Sequence, residues 1–431
     1  MASEHHRPPL PGGPYLVVGM ARSGQAAARL LAARGERVIA VDSATPDGAA
    51  GLRDLGVEVI LDVDGVEAVE RVASVVKSPG VPGSAPAIGA ARTRGIPVIG
   101  ELELAWRLLP NRFVAVTGTN GKTTVTELLG HVWRTAGQPV AVAGNVGTPL
   151  ASLAGAVDAD ATIVCEASSF QLEDTEAFAP ECGVLLNIAP DHLDRHADFD
   201  DYVAAKLRLF ANQDEGDVCV YNGADPALRG RDLGGQGRRL DFSPRTGELE
   251  FSLPGPHNAD NAAAATVAAE AMGISPDAIA ASLRSFPGVP HRLERVAEVG
   301  GVLYVNDSKA TNVAAATAAL RSFDRPVRAI LGGSLKGGGF AELAEPVAER
   351  CVACYLIGEA AVAIERELEP AWEAGVAHTR CGDLAAAVSA AAAEAAAGDV
   401  VLLAPACASF DAYRDFEARG EHFRALVEEL G

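Results

Sequence analysis

Short apolar runs alternate with alanine-rich stretches along the whole chain, and this alternation restricts the folds that the sequence can adopt. The run at residues 113–118 and the run at 399–406 are apolar without a polar alternation, as expected of strands buried on both faces. The stretch 385–397 is almost all alanine and predicts a helix. Buried strands that alternate with helices are typical of parallel sheets covered by helices, so the sequence predicts an α/β fold.

The chain has 431 residues, which exceeds the length at which one hydrophobic core usually keeps growing, so we expect several domains. The alternation of strands and helices divides into three blocks. We predict domains at residues 1–100, 101–288 and 289–431. The first block opens with a strand, a helix and a second strand that together form a βαβ unit. Prolines and glycine at residues 287–290 interrupt regular structure and predict the junction before the third block.

The charge of the chain excludes some functions. Its 36 basic and 57 acidic residues give a net charge of -21, which opposes broad binding to nucleic acid. Residues 1–15 lack the apolar core of a signal peptide, and no run approaches the roughly 20 apolar residues that span a bilayer. We therefore expect a cytoplasmic protein that binds neither membrane nor nucleic acid. Cys351 and Cys354 form a CxxC without a second pair, which favours buried free thiols over a metal site.

The segment GTNGKTT follows a predicted strand and precedes a predicted helix, which is the setting of a phosphate-binding loop. Glycines allow backbone N–H groups to curve around phosphates, lysine supplies a positive charge and threonine can hold magnesium. The glycine that common P-loops place six residues before the lysine is replaced by Val116, which argues against ordinary GTPases. A glycine-rich turn without nucleotide is the alternative. The candidate ATP-binding residues are Gly118, Thr119, Asn120, Gly121, Lys122, Thr123 and Thr124.

Acidic and imidazole side chains follow two further apolar runs. Glu166 ends the run at residues 161–166, where a carboxylate at the end of a strand could bind magnesium. His192 belongs to the segment NIAPDHLDRH at residues 187–196. A solvated charged turn is the alternative for that segment.

The order of these motifs, together with GNVG at residues 144–147 and YVAAK at 202–206, resembles the central domain of the Mur ligase family. The resemblance implies that Lys122 and Thr123 bind ATP, that Glu166 and His192 hold catalytic Mg²⁺, and that Asn145 lies near the transferred phosphate. It also implies that Lys206 is carbamylated and thereby becomes an anion that organises a second magnesium. From the residues alone, Lys206 would be an ordinary lysine on a helix surface.

The resemblance continues through the second half of the chain. Asn258 and Asn261 match family residues near the adenine and ribose, although an asparagine before an alanine-rich helix could equally cap that helix. Arg292 and Asp307 match further ATP-binding residues. The string DSKATN at residues 307–312 is similar to the D-glutamate-adding branch of the family, and Ala404 departs from that branch's usual serine. The branch implies D-glutamate contacts at Lys309, Thr311, Lys336, Ser409 and Phe416.

The first block contains GMARSG after a strand, which resembles a dinucleotide fingerprint. Ala21 replaces the middle glycine, so close approach to the pyrophosphate of NAD is compromised. The Mur ligases use this Rossmann-like domain for a uridine nucleotide. The resemblance implies contacts to it from Ser23, Asp42, Ser43 and Gly80.

The resemblance spans about residues 14–425 and implies three domains: a Rossmann-like domain, a central P-loop ATPase-type domain with a parallel sheet and a C-terminal Rossmann-like α/β domain. It implies ATP and Mg²⁺ as cofactors, and ligation of D-glutamate to UDP-N-acetylmuramoyl-L-alanine. We expect a monomer. Two alternatives are a sibling Mur or folylpolyglutamate-type ligase, and a non-catalytic nucleotide-binding regulator. We also expect the third domain to close onto the second.

Overall fold

Three β-sheets organise the chain, which is described here from a computed structural model covering residues 7–191, 195–245, 250–253, 256–335 and 339–431. The first two sheets belong to one compact unit, Met1–Phe286, and the third belongs to another, Pro287–Gly431. His192 and Lys336 lie outside the described residues.

The first sheet has five parallel strands in the order β3-β2-β1-β4-β5. Its apolar strands are buried on both faces because helices cover them, as the alternation predicts. The elements are β1 (Tyr15–Val18), α1 (Arg22–Ala33), β2 (Val38–Val41), β3 (Glu58–Ile60), α2 (Val66–Val69), β4 (Ser74–Lys77), α3 (Pro86–Thr93), β5 (Val98–Gly100) and α4 (Glu101–Leu108).

The second sheet has six parallel strands in the order β11-β10-β9-β6-β8-β7. Its central strands β6, β8 and β9 are fully buried, and their carboxyl ends meet at one edge. The elements are β6 (Phe113–Thr117), α5 (Lys122–Thr135), β7 (Val140–Gly144), β8 (Thr162–Glu166), α6 (Ser169–Leu172), β9 (Cys182–Leu185), α7 (Phe199–Leu207), β10 (Val218–Tyr221), β11 (Arg238–Asp241), α8 (Pro256–Ala271) and α9 (Pro276–Ser285).

The third sheet has six strands in the order β12-β13-β17-β14-β15-β16, of which only the edge strand β12 is antiparallel to its neighbour. The elements are β12 (Glu294–Val299), β13 (Val302–Asn306), α10 (Val313–Leu320), β14 (Val327–Gly332), α11 (Ala344–Arg350), β15 (Cys351–Ile357), α12 (Ala361–Glu367), α13 (Glu369–Glu373), β16 (Ala377–Gly382), α14 (Leu384–Glu394), β17 (Val400–Leu403) and α15 (Phe416–Glu428).

These sheets confirm the predicted α/β class. The predicted helix at residues 385–397 is α14, and the predicted CxxC thiols lie buried on β15 without a disulfide. Among the described residues, no helix combines the length and apolarity needed to cross a membrane.

Candidate functional site

The turn between β6 and α5 carries the GTNGKTT segment and has the shape of an anion-binding loop. Gly118 has φ of 153° and Gly121 has φ of 86°, both in the region that glycine adopts readily. A Cβ on Gly121 would lie 2.3 Å from the Asn261 side-chain oxygen, so any larger residue would clash there. The turn leads directly into the N-terminus of α5, and the N-terminus of a helix favours phosphate through its backbone N–H groups and its dipole.

Lys122 is the first residue of α5 and folds back over the turn. Its Nζ donates to the carbonyl oxygens of Gly118 and Thr119, both at 2.9 Å. Thr123 and Thr124 follow it in the first turn of α5 and are buried. A cation and two hydroxyl-bearing residues therefore gather at the helix end where the sequence predicts the phosphates of ATP.

Asn187, to which the sequence reasoning assigned no role, pins this turn to the end of β9. Its carbonyl accepts from the Thr119 N–H at 2.8 Å, and its side-chain oxygen accepts from the Asn120 N–H at the same distance. Its side-chain amide donates to the Asn120 carbonyl at 3.1 Å. One feature of the sequence could have indicated this role. Asn187 lies two residues beyond a buried strand, at the edge of a parallel sheet where binding sites usually form.

Glu166 ends β8 beside the turn and is only 3% exposed. Its Oε1 accepts from the Asn145 side-chain amide at 2.9 Å, and its carbonyl accepts from the Asn145 N–H at 2.9 Å. Gly144 precedes Asn145 with φ of 123°, and a Cβ there would lie 2.2 Å from the Glu166 carbonyl oxygen. The close approach of β7 and β8 thus requires glycine and brings two predicted catalytic residues together.

Lys206 lies at the end of α7 and is 1% exposed, so the interpretation of an ordinary surface lysine is wrong. Its Nζ donates to the Gly118 carbonyl at 2.8 Å, the oxygen that Lys122 also contacts. Burial, together with the charge of Lys122, lowers the pKa of Lys206 to about 7, while Asp191 and Glu166 oppose the shift. Two lysines thus converge on one carbonyl oxygen of the phosphate loop.

The described residues fit ATP and magnesium in their chemistry. Lys122 and the N-terminus of α5 suit phosphate, and the Glu166 carboxylate is a ligand that Mg²⁺ prefers. In the described ranges no three His, Cys, Asp or Glu side chains form a group that could hold a metal. Of the four predicted magnesium-binding residues, only Thr123, Glu166 and Lys206 can be located, because His192 lies outside those ranges.

The predicted adenine and ribose contacts lie on α8. This helix begins at Pro256, so Asn258 and Asn261 are inside its first turns, and the alternative that an asparagine precedes and caps it is wrong. Asn261 is 5% exposed, donates to the Asn258 side-chain oxygen at 3.3 Å and packs against Gly121 of the phosphate loop. The structure therefore brings Asn261 to the predicted ATP site.

The first sheet presents a second glycine turn, between β1 and α1. Gly19 has φ of 87°. A Cβ on Gly24 would lie 1.8 Å from the Gly19 carbonyl oxygen, so the tight turn requires glycine at both positions. Asp42 closes the turn, since its carboxylate accepts from the Met20 N–H at 2.6 Å and the Ala44 N–H at 2.9 Å. The Asp42 carboxylate is thus already bonded to backbone.

The other predicted uridine contacts border that turn. Ser23 is half-buried in the first turn of α1, and Ser43 is exposed after β2. Gly80 is exposed after β4, has no positive φ and would have open space around a Cβ. The fold itself therefore does not demand glycine at this position.

In the second unit, Asp307 follows β13 and is 6% exposed. Its carboxylate accepts from the Leu293 N–H at 3.2 Å, and burial raises its pKa to about 6, opposed by that bond and by the charges of Arg292 and Lys309. Arg292 is exposed, and Lys309 and Thr311 are half-buried in the loop that leads to α10. These four predicted residues therefore share one end of the third sheet.

Arg419 on α15 joins the loops that carry the predicted D-glutamate contacts, and the sequence reasoning missed it. The buried guanidinium donates to the hydroxyl and carbonyl of Ser308, both at 2.9 Å, and to the carbonyls of Cys407 and Ala408 at 3.1 and 3.0 Å. Burial lowers its pKa to about 10. Ser409 is buried beside Ala408, so Arg419 fixes its loop against the one that precedes Lys309.

Phe416 begins α15, and its carbonyl accepts from the Ser308 hydroxyl at 2.8 Å. Its ring lies 6.4 Å from that of His291, centroid to centroid. The structure thus places Ser409 in a loop and Phe416 at the start of α15, and both segments are tied to Ser308, whereas Lys336 lies outside the described residues.

Three family models match successive parts of the chain. The N-terminal domain model described as Mur ligase MurD-like matches residues 14–100, the Mur ligase middle domain matches 116–233, and the Mur ligase glutamate ligase domain matches 291–407. A protein of Pelotomaculum thermopropionicum named UDP-N-acetylmuramoylalanine–D-glutamate ligase is 44% identical over 96% of this chain and 97% of its own length.

Two solved structures share the fold at low identity. The UDP-N-acetylmuramate-alanine ligase of Thermotoga maritima is 18% identical, covers 97% of this chain and 100% of its own, and gives a TM-score of 0.58. The bifunctional folylpolyglutamate synthase/dihydrofolate synthase of Yersinia pestis, solved with AMPPNP and a Mn ion, is 20% identical, covers 76% of this chain and 92% of its own, and gives a TM-score of 0.54.

Proposed function

This chain belongs to the Mur ligase family, and we propose that it joins D-glutamate to the carboxylate of UDP-N-acetylmuramoyl-L-alanine at the expense of ATP, in peptidoglycan precursor synthesis. Among the structural observations, the convergence of Lys122 and Lys206 on the Gly118 carbonyl beside buried Glu166 supports this function most strongly. We further propose the three predicted domains, a monomer and a cytoplasmic location.

The reaction must activate a carboxylate, because its oxygen is a poor leaving group. In the proposed reaction the substrate carboxylate attacks the γ-phosphate of ATP, and an acyl phosphate forms as ADP leaves. The amine of D-glutamate then attacks the acyl carbon, and phosphate is released. Lys122 and the N-terminus of α5 would neutralise charge during phosphoryl transfer, a step that depends on positioning and electrostatics.

Glu166, Thr123, His192 and carbamylated Lys206 are the proposed residues for magnesium, which would neutralise phosphate charge when bound. The lowered pKa of Lys206 supports the carbamate, since only a neutral amine can attack carbon dioxide. The ammonium first loses one proton, the neutral nitrogen then bonds to the carbon of carbon dioxide as one C=O π pair moves to oxygen, and loss of a second proton leaves the carbamate anion. Asn145 would position Glu166 through the 2.9 Å contact between their side chains.

The substrates are assigned to the ends of the other two sheets. We propose that Ser23, Asp42, Ser43 and Gly80 contact the uridine nucleotide and that Asn258, Asn261, Arg292 and Asp307 contact ATP. Lys309, Thr311, Lys336, Ser409 and Phe416 are proposed to bind D-glutamate, with the lysines balancing its carboxylates. Closure of the C-terminal domain remains a prediction.

Measurement of ADP release tests the function. Purified protein with ATP and Mg²⁺ is assayed with UDP-N-acetylmuramoyl-L-alanine, and D-glutamate, L-glutamate or another amino acid is added. We expect turnover only when both UDP-N-acetylmuramoyl-L-alanine and D-glutamate are present. Release of ADP by the protein alone, or equal use of another amino acid, would contradict the proposal, and complete inactivity would favour a non-catalytic regulator.

Replacing Ser409 by alanine tests the amino-acid site separately. We expect the KM for D-glutamate to rise while the KM for ATP stays near its wild-type value. Ser389→Ala on α14 is the matched control, because this serine lies in the same unit and has no proposed contact with substrate. An equal loss of affinity for both substrates would contradict the assignment of Ser409.

A further inference from the structure

Arg195 reaches from the central domain to the loop of residues 78–81, which follows β4 of the first sheet. Its guanidinium donates to the carbonyl of Val81 at 2.7 Å, to that of Pro79 at 3.1 Å and to that of Gly80 at 3.4 Å. The cation also lies 4.2 Å from the centroid of the Phe170 ring. One side chain therefore holds three consecutive carbonyl groups of this loop.

Lys77 contacts the same loop and shares the Val81 carbonyl with Arg195. It ends β4 with its side chain fully buried and donates to the Val81 carbonyl at 2.9 Å. Its Nζ lies 2.6 Å from Asp174 and 3.0 Å from Glu173, and Glu173 lies 3.6 Å from Arg195. These two cations and two carboxylates, with Arg92 at 3.8 Å from Asp174, form one charge cluster between β4 and the end of α6. Removal of one member leaves its partners uncompensated, which is costly where they are buried.

The backbone of the loop makes few other hydrogen bonds among the described residues. The Val81 N–H bonds to the Ser78 carbonyl at 3.0 Å, and the Ser78 N–H bonds to Val18 at 3.0 Å. Pro79 has no N–H to donate, and Gly80 is exposed without backbone strain or close packing. Val81 also packs against the apolar cluster of the first sheet, so both ends of the loop are anchored, and at Pro79 and Gly80 the Arg195 cation provides the attachment.

We propose that Arg195 is a positioning residue that fixes the loop of residues 78–81 for the UDP moiety of the substrate. This inference rests on the proposed function, because the loop contains the proposed uridine contact Gly80. The central domain thereby sets the affinity of the first domain for its ligand. A lysine cannot replace Arg195, since the planar guanidinium presents several donors in a fixed fork and an ammonium is a single charge.

The test measures binding rather than catalysis. The dissociation constant of UDP-N-acetylmuramoyl-L-alanine is determined by titration calorimetry without ATP or Mg²⁺ for wild type, Arg195→Ala and Arg195→Lys. We expect a rise of roughly tenfold or more in both variants, the scale of losing hydrogen bonds to a charged donor. Arg71→Ala is the matched control, because it removes an exposed ion pair with Glu58 in the same domain and should bind like wild type.

Hydrogen exchange separates local loosening from misfolding. We expect faster exchange of the Val81 amide in both Arg195 variants, with unchanged exchange in β1 and β6. Unaltered affinity, or unaltered exchange at Val81, would overturn the role of Arg195. Failure of wild-type protein to bind the UDP-substrate would instead overturn the proposed function. Glu173→Gln serves as a second, milder variant, and it should weaken binding less than Arg195→Ala because it leaves the bonds to the loop carbonyls in place.

Discussion

The β1–α1 turn and the β6–α5 turn have similar backbone shapes but different side chains around them. Each follows a buried strand with a glycine of positive φ, Gly19 or Gly118, and each leads into a helix whose first residue is cationic. Arg22 begins α1 and is exposed, whereas Lys122 begins α5 and bonds to the carbonyls of its own turn. Glycine therefore specifies the shape of the turn, and the side chains around it determine which ligand the turn suits.

The acid beside each turn shows the same contrast. Asp42 accepts from two backbone N–H groups, so its carboxylate stabilises the first turn. Glu166 accepts from the Asn145 side chain, and Lys206 and Lys122 lie at the adjoining turn. Asp42 thus bonds to the backbone of its own turn, whereas Glu166 belongs to a set of charged groups suited to phosphate and magnesium.

The largest effect should come from the cation of the second turn. We expect Lys122→Ala to lower the rate of ADP release at least ~100-fold, the scale of removing one preorganised charge-stabilising group, while circular dichroism stays unchanged. Arg22→Ala, at the equivalent position of α1, should leave the KM for ATP unchanged. If both variants lost ATP use equally, the two turns would not differ in the way proposed.

Lys206→Ala should lower activity roughly 10- to 100-fold, because the anion proposed to organise magnesium is lost. Small carboxylates such as acetate should restore part of the rate by placing an anion in the vacated space. Lys309→Ala provides the comparison, since its defect should not respond to carboxylates. Full activity of Lys206→Ala without additives would contradict the carbamate.

Substitution of one glycine near each turn should have a smaller effect, and it distinguishes a loss of stability from a loss of ATP binding. Gly24→Ala should lower the free energy of unfolding by about 1–3 kcal/mol, because the new Cβ meets the Gly19 carbonyl oxygen, and should leave the KM for ATP unchanged. Gly121→Ala should instead raise the KM for ATP through its clash with Asn261. Thermal denaturation measures the stability, and steady-state kinetics measure the KM for ATP. A raised KM for ATP in Gly24→Ala, with an unchanged KM in Gly121→Ala, would contradict the proposed difference between the two turns.

The sequence predicted the fold well where strands are buried on both faces. The runs at β6, β8 and β17 contain consecutive apolar residues, and their predicted ends are confirmed to within three residues. The exposed edge strands β11 and β16 were not predicted, because their residues are largely polar and gain little from burial. Polarity removes the signal on which such predictions depend.

The candidate site was predictable in its motifs and not in its long-range contacts. Glu166 stands out in the sequence because it ends a buried strand, and Lys122 stands out because it follows the glycine turn after another buried strand. The burial of Lys206 and the roles of Asn187, Arg195 and Arg419 depend on contacts with residues distant in sequence, which no local pattern encodes. Such contacts become visible only when parallel strands bring their carboxyl ends to one edge.

The smallest predicted effect concerns Glu101, which begins α4 between the two sheets that carry the turns. Its side chain is 1% exposed, its Oε1 accepts from the Ala151 N–H at 2.7 Å, and its Oε2 has no hydrogen-bond partner among the described residues. Burial raises its pKa to about 7, while the Ala151 bond opposes the shift. Between pH 4.5 and about 7 the folded protein thus binds more protons at this site than the unfolded chain.

The free energy of unfolding should therefore fall as pH rises through this window and level off above the folded-state pKa of Glu101. Glu101→Gln lacks this titration and keeps an oxygen for the Ala151 N–H. Its stability relative to wild type should increase by on the order of 1 kcal/mol between pH 5 and pH 8. Urea denaturation at several pH values measures the difference, with Glu67→Gln on α2 as an exposed control. A constant difference across the window would show that Glu101 is ionised in the folded protein, and its buried oxygen would then need a cationic partner.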